Sequence, residues 1–479
     1  MVFSSLVFLT VFLPVVIILY YVLPSITWKN TVLLLGSLVF YAWGEPKYVF
    51  LMMASILVNY CVGVAIHEVK LKGKKGRLLL AAGIAFNLGL LLYFKYSNFF
   101  VECAGRLLRR SFSMREILLP IGISFFTFQG MSYVIDVYRE NADDENSFVV
   151  QKNLLSLALY IAMFPQLIAG PIVRYHDVQQ RLTCRKHSFS LFASGIEAFI
   201  IGLSKKVLIA NILGATATQI MEYNVEMINA PIAWLGALCY SLQLLYDFSG
   251  YSDMAIGLGR MFGFEFQINF DYPYISTSLS EFWRRWHISL SQWFRDYLYI
   301  PLGGSRRGNT YFHLFIVFLA TGLWHGAAFG FLLWGLWHGF FVIAERFAKN
   351  KGIRLPVPKP LRWLLTMLVV LLGWTLFRIV GVRSTLHFYS LMLGLNSPAF
   401  IRYSLAWYLN ARTAAALAAA CFFCVPWKSV LNSRCPGAAA LLQSEPALFI
   451  RRLLLLALLL LCFLFIANSS YNPFIYFRF

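Results

Sequence analysis

Two histidines stand where the residues around them make an ionisable ring costly. His325 lies in Thr321-Gly-Leu-Trp-His325-Gly-Ala, inside a stretch from Phe312 to Ala344 that contains no acid. An imidazole at bilayer depth is expensive to desolvate and is retained mostly where it has a task. It is also the side chain best suited to moving protons near neutral pH. His287 lies in FWRRWHISLSQWF, within a segment (262–310) too polar to cross lipid and too aromatic for a solvated loop. A histidine that removes a hydroxyl proton lets that oxygen attack an activated acyl group. A membrane-buried passage keeps water from such a donor. His325 is the candidate base and His287 its companion. A second Trp-His-Gly, at 337–339, repeats the pattern, but His338 reads as helix packing.

The elements that must hold these residues are transmembrane helices. The 479 residues are 59% hydrophobic and 13% charged, against about 25% charged in ordinary soluble domains. Apolar runs are expected to span at about 2–23, 30–43, 47–66, 78–95, 117–134, 153–172, 191–213, 230–246, 311–327, 331–347, 362–381, 411–427 and 448–468. This gives an all-α polytopic membrane protein with 10–13 spanning or re-entrant helices, in one domain covering 1–479. A barrel would show short alternating segments instead. The formal charge of +20 comes from basic residues scattered between spans, which fits cytoplasmic loops beside anionic lipid and argues against nucleic acid.

Clusters at Lys70–Arg77, Arg306-Arg307 and Lys349–Lys359 read as cytoplasmic. The stretch 311–347 then forms a hairpin with its tip near Gly326 and Gly330, and His325 lies deep in the bilayer or beyond. Arg106, Arg109 and Arg110 resist this scheme unless 96–105 is re-entrant. Within 262–310, Ser280–Tyr299 reads as one amphipathic helix started by Ser278 or Ser280. It lies at the interface or folded back into the protein.

Other polar groups admit two readings each. Asp247 and Asp253 suit a proton path or helix pinning. Lys205-Lys206 suits an anionic donor or a span-edge anchor. Cys421 and Cys424 form a CxxC inside an apolar helix with no second pair, so no zinc site and no disulfide framework is expected. The tail, Asn472-Pro-Phe-Ile-Tyr476-Phe-Arg-Phe479, reads by composition as an aromatic interfacial anchor.

Several long motifs occur in one order: MVFSSLVFL at the start, FYAWGEPKY at 40–48, PIGISFFTFQGMSYVIDVYR at 120–139 and FPQLIAGPIVRY at 164–175. YDFSGYSDMAIGLGRMFGF, FWRRWHISLSQWFRDYLYIPLGG and GLWHG follow. Through them the chain resembles the membrane-bound O-acyltransferase family, in its bacterial branch concerned with alginate O-acetylation. The resemblance implies helices around a central acyl-transfer channel, with His325 as the central histidine and His287 as a second one. It implies acetyl-CoA as cytoplasmic donor and a location in the bacterial inner membrane. It also implies an extracytoplasmic acyltransferase- or esterase-like partner that places the acetyl group on a polysaccharide. The tail resembles a Phe-x-Tyr-Phe-x-Phe motif of this branch, which makes Tyr476 a candidate transient acyl carrier.

Two rivals remain at this level. One is the same fold moving D-alanine from a carrier protein. The other is a proton-coupled transporter or exporter that uses Asp247, Asp253 and His325 without covalent chemistry; it is expected to show paired inverted repeats, and none stands out.

Overall fold

A computed structural model describes residues 1–110, 112, 117–140, 150–168, 170–353, 356–379, 381–396 and 398–468. The all-α expectation holds: among the described residues there are helices and no strand. Tyr476 and the rest of the tail motif lie outside the described residues.

Among the described residues five helices are long and apolar enough to cross a membrane: Tyr48–Leu71, Arg77–Leu108, Phe189–Tyr223, Lys359–Arg378 and Glu445–Asn468. The pair Ala411–Phe423 and Trp427–Arg434, bent by 51°, makes a sixth if it is one span. Phe8–Val22, Ile26–Ala42 and Thr310–His325 are shorter apolar helices. This is an all-helical membrane protein.

Two local expectations are overturned, and one open condition is settled against. The run 153–172 is not one helix. It breaks into Leu154–Ala162 and Phe164–Leu167 at Met163 (φ −55°, ψ 114°), because Pro165 has no N–H to donate to the Ile161 carbonyl and its ring would clash with that carbonyl in a continuous helix, whereas a proline is tolerated in a helix's first turn. The condition left open for 96–105 is not met, since Arg77–Leu108 runs through it as one 32-residue helix. At 1.5 Å per residue that helix is about 48 Å long, well beyond a ~30 Å hydrocarbon core. Ser280–Tyr299 is also interrupted, at Trp286 and His287.

Contacts divide the chain into two compact units, Met1–Ile196 with Ala255–Gln267, and Glu197–Met254 with the residues from Ile268 onward. The first unit has an aromatic core in which the rings of Phe3, Phe8, Phe12, Phe40 and Phe164 meet at 5.0–6.4 Å. Its buried cation Arg185 donates to Tyr20 Oη (2.9 Å), the Phe262 carbonyl (3.0 Å) and Asn30 Oδ1 (2.7 Å). Those acceptors compensate the guanidinium for lost water.

The second unit carries both candidate histidines. Gly202 and Gly250 let two of its helices touch backbone to backbone: a Cβ built on Gly202 would lie 2.4 Å from the Gly250 carbonyl oxygen. That approach sits beside two ion pairs, Lys205–Asp253 and Lys206–Asp247, each 2.6 Å. The second pair is almost fully buried, at 3% and 1% side-chain exposure. Of the two readings open for Asp247 and Asp253, the geometry fits helix pinning.

The predicted hairpin is present as Thr310–His325 and Phe329–Asn350. It closes on small residues. A Cβ on Gly335 would lie 2.5 Å from the Phe318 carbonyl oxygen, and one on Gly322 2.6 Å from that of Phe331.

Asp247→Ala strands a buried ammonium, and such half-removed pairs cost about 3–5 kcal/mol. Thermal unfolding in detergent should show a large loss for Asp247→Ala and for Lys206→Ala. The double change Asp247→Leu with Lys206→Met should recover most of it. A double variant as unstable as the sum of the singles contradicts the pairing.

Candidate catalytic site

His287 sits at a break in its helix. The chain folds as Leu279–Arg285 and then Ile288–Phe294, with Trp286 extended and His287 in the left-handed region (φ 45°). A non-glycine residue held there costs on the order of 1–3 kcal/mol and persists only where its surroundings fix it. The periodic pattern of Ser280–Tyr299 could not show this break, because tertiary contacts impose it.

Those contacts can be followed in order. Ser278 Oγ accepts from the Glu281 backbone N–H at 3.1 Å, so Ser278 is the cap. Glu345, on the second hairpin helix, accepts from the backbone N–H groups of Leu279 (2.6 Å) and Ser280 (2.9 Å) and from Ser280 Oγ (2.6 Å). A carboxylate on the free N–H groups of a helix start is favourable in charge and in hydrogen bonding. After the helix, the chain is clipped to residues 269–271. Asp271 N donates to the Arg285 carbonyl (2.9 Å) and Ile288 N to the Asn269 carbonyl (3.0 Å). Arg285 Nη1 reaches Asp271 Oδ2 at 2.9 Å. His287 is held between these two clips.

The Asn269 side chain then sets the state of the imidazole. Its Oδ1 accepts from the Ser289 backbone N–H (3.1 Å) and from Ser289 Oγ (2.9 Å). A backbone N–H can only donate, so the atom facing it is the amide oxygen. That oxygen is also 3.2 Å from His287 Nδ1. His287 therefore donates from Nδ1, and its Nε2 keeps the lone pair. Nε2 is buried and has no hydrogen-bond partner among the described residues. Burial pushes His287 down to about 3, so the ring is neutral at physiological pH and presents an accepting nitrogen in a dry setting.

His325 is the last residue of Thr310–His325 and is 6% exposed. Its ring meets those of Trp324 (5.0 Å), Trp334 (4.9 Å) and Phe377 (5.1 Å), nearly perpendicular to the last two. His287 meets the same Trp324 indole at 6.2 Å and Phe248 at 4.6 Å. Two histidines thirty-eight positions apart in sequence thus share one indole.

His338 is fully buried among Trp283 (5.3 Å), Trp334 (5.1 Å) and Trp374 (5.9 Å). Neither of its ring nitrogens has a hydrogen-bond partner among the described residues. A Cβ on Gly373 would lie 2.6 Å from His338 Nε2, so only glycine fits opposite it. This agrees with the packing reading.

Sequence reasoning missed Asn269 and Glu345. Neither belongs to a chemical pattern: Asn269 is one amide in an aromatic run, and Glu345 is merely the first acid after the hairpin's apolar stretch. The only available signal was their position beside costly apolar segments.

The model of the family described as MBOAT, membrane-bound O-acyltransferase, matches residues 110–388. The chain is 43% identical over 404 residues to the probable alginate O-acetylase AlgI of Pseudomonas aeruginosa, covering 83% of this chain and 76% of that one. It is 38% identical over 498 residues to the protein of the same name from Pseudomonas putida, covering all of both. It is 34% identical over 518 residues to the peptidoglycan O-acetyltransferase of Helicobacter pylori, covering 100% of this chain and 97% of that one.

Asn269→Ala leaves the Ser289 N–H and His287 Nδ1–H without their acceptor, and each buried unpaired group costs about 1–3 kcal/mol. The expected outcome is a lowered unfolding temperature together with a catalytic loss. Removing partners that orient metal-ligating histidines costs roughly 10–100-fold, and a loss of that order is expected for this held imidazole. Asn269→Asp keeps an accepting oxygen and should retain more of both. Equal behaviour of the two variants contradicts the assignment.

Proposed function

The chain belongs to the membrane-bound O-acyltransferase family, and from that premise we propose that it is an O-acetyltransferase of the bacterial inner membrane. In this reading the whole chain acts as one membrane domain. Acetyl-CoA is the cytoplasmic donor, and the acetyl group is destined for an exported or cell-wall polysaccharide through an extracytoplasmic partner protein. The likeness to alginate and peptidoglycan O-acetylating proteins over most of the chain supports the acyl group and the class of acceptor.

The observation that carries the mechanism is the pairing of His287 and His325 around Trp324 in a dry aromatic setting. An acceptor hydroxyl attacks the thioester carbonyl while His325 removes its proton. The carbon–sulfur bond breaks, and the departing thiolate takes a proton to leave as the free thiol. The attacking hydroxyl's one proton goes to His325, so His287 Nε2, held as an acceptor by Asn269, takes a hydrogen bond from another donor of the bound reactants. The aromatic walls exclude the water that would otherwise hydrolyse the donor.

Tyr476 is the proposed first acceptor. Its phenol oxygen forms an aryl ester with the acetyl group and later yields it to a second hydroxyl, which regenerates the phenol. A phenol's pKa near 10 makes that ester activated relative to a sugar ester.

Purified protein in liposomes with labelled acetyl-CoA tests both parts. His325→Ala should lower thioester turnover by roughly 10²–10⁴-fold, the range of a general base, with unchanged helical content. Turnover within about twofold of the unaltered protein would contradict this role. Peptide mass spectrometry should find the label on the tail in the intact chain and none after Tyr476→Phe. A tail label that persists in that variant removes the relay.

A further inference from the structure

The second unit contains a cavity of about 790 Å³ that the proposed chemistry leaves unused. One wall comes from the helix Lys359–Arg378, through Lys359, Trp363, Met367 and Leu371. These recur every four residues and so line one face. From Lys359 to Leu371 is twelve residues, about 18 Å of helix, close to one leaflet of a ~30 Å hydrocarbon core. Leu238 and Leu242 add apolar surface.

The two ends differ in character. At the start of the helix stand a cation, Lys359, and the indole of Trp363, whose Nε1 donates to the Tyr274 carbonyl at 2.8 Å. A basic and aromatic pair of this kind marks headgroup depth. Lys349 and Lys351 precede it in the chain, so the sequence places this end at the cytoplasmic face. Toward Leu371 this helix contributes only the apolar Met367, Val370 and Leu371; Ser241, Thr277, Cys421 and Cys424 also line the cavity. Leu361, Leu364 and Leu365 of the same helix are exposed, so its neighbouring face looks into lipid.

We propose that this cavity holds one acyl chain of an anionic membrane phospholipid, with its phosphate at Lys359 and its tail along Trp363, Met367 and Leu371. The volume lies in the range of ligand sites, about 300–1,000 Å³. One charged end and an apolar depth of one leaflet match an amphiphile and not a soluble anion. Tyr274 lines the cavity, and its ring lies nearly parallel to Phe282 and Trp286, at 6.4 and 6.2 Å. The lipid tail therefore braces the ring layer that precedes His287. The assignment is tested apart from the acyl-transfer mechanism, because its test reads lipid occupancy and not turnover.

The test uses the full chain in nanodiscs containing a phosphatidylglycerol with a photoactivatable group midway along one acyl chain. Illumination should label peptides bearing Trp363–Leu371 and Leu238–Leu242. Lys359→Glu, at an exposed position, should lower that labelling at least tenfold, and Leu371→Trp should block it. Native mass spectrometry of the unaltered protein should show one retained phosphatidylglycerol. Equal labelling by a phosphatidylcholine probe, label outside these peptides, or displacement of the lipid by coenzyme A would each overturn the proposal.

Discussion

An imidazole taken out of water must have its hydrogen-bonding state decided for it, and in this protein one amide oxygen decides it. Asn269 Oδ1 gathers the Ser289 backbone N–H, the Ser289 hydroxyl and His287 Nδ1 at 2.9–3.2 Å. Because the backbone N–H cannot accept, the choice of tautomer follows from geometry. The lone pair is left on Nε2, away from the clip. Burial then keeps the ring neutral. A buried polar group without such a partner would cost about 1–3 kcal/mol, so the oxygen serves stability and presentation together.

That arrangement depends on polar groups fixing helices whose packing surfaces are mostly aromatic and aliphatic. Glu345 holds the start of Leu279–Arg285 through three hydrogen bonds. Arg285 and Asp271 close the far side. The Lys206–Asp247 pair joins two further helices of the unit, and glycines allow their backbones to meet. Each charge is matched at short range, as an interior poor in water requires. The left-handed backbone at His287 is the strained point that these contacts hold in place.

The sequence made the membrane helices legible because hydrophobic length is a direct consequence of bilayer thickness. The hairpin 311–347 was readable for the same kind of local reason, as was a serine cap at Ser278 or Ser280, of which the structure uses Ser278. Local pattern failed where tertiary contacts override it. The run 280–299 has helical periodicity, yet the clip from Asn269 and Asp271 breaks it at His287. The run 153–172 has apolar length, yet it breaks ahead of Pro165. The two histidines were visible as costly residues. Their shared indole and the tautomer were not, because both arise from residues brought together only by folding.

The central claim is that His287 is a neutral ring protonated at Nδ1 with an open Nε2. Nitrogen-15 NMR of the histidine-labelled protein at neutral pH measures this directly, with the signal assigned by comparison with His287→Gln. The account predicts an imine-type Nε2 resonance and a protonated Nδ1, both unchanged between pH 6 and 8. A protonated Nε2, or a ring that titrates across that interval, would contradict it.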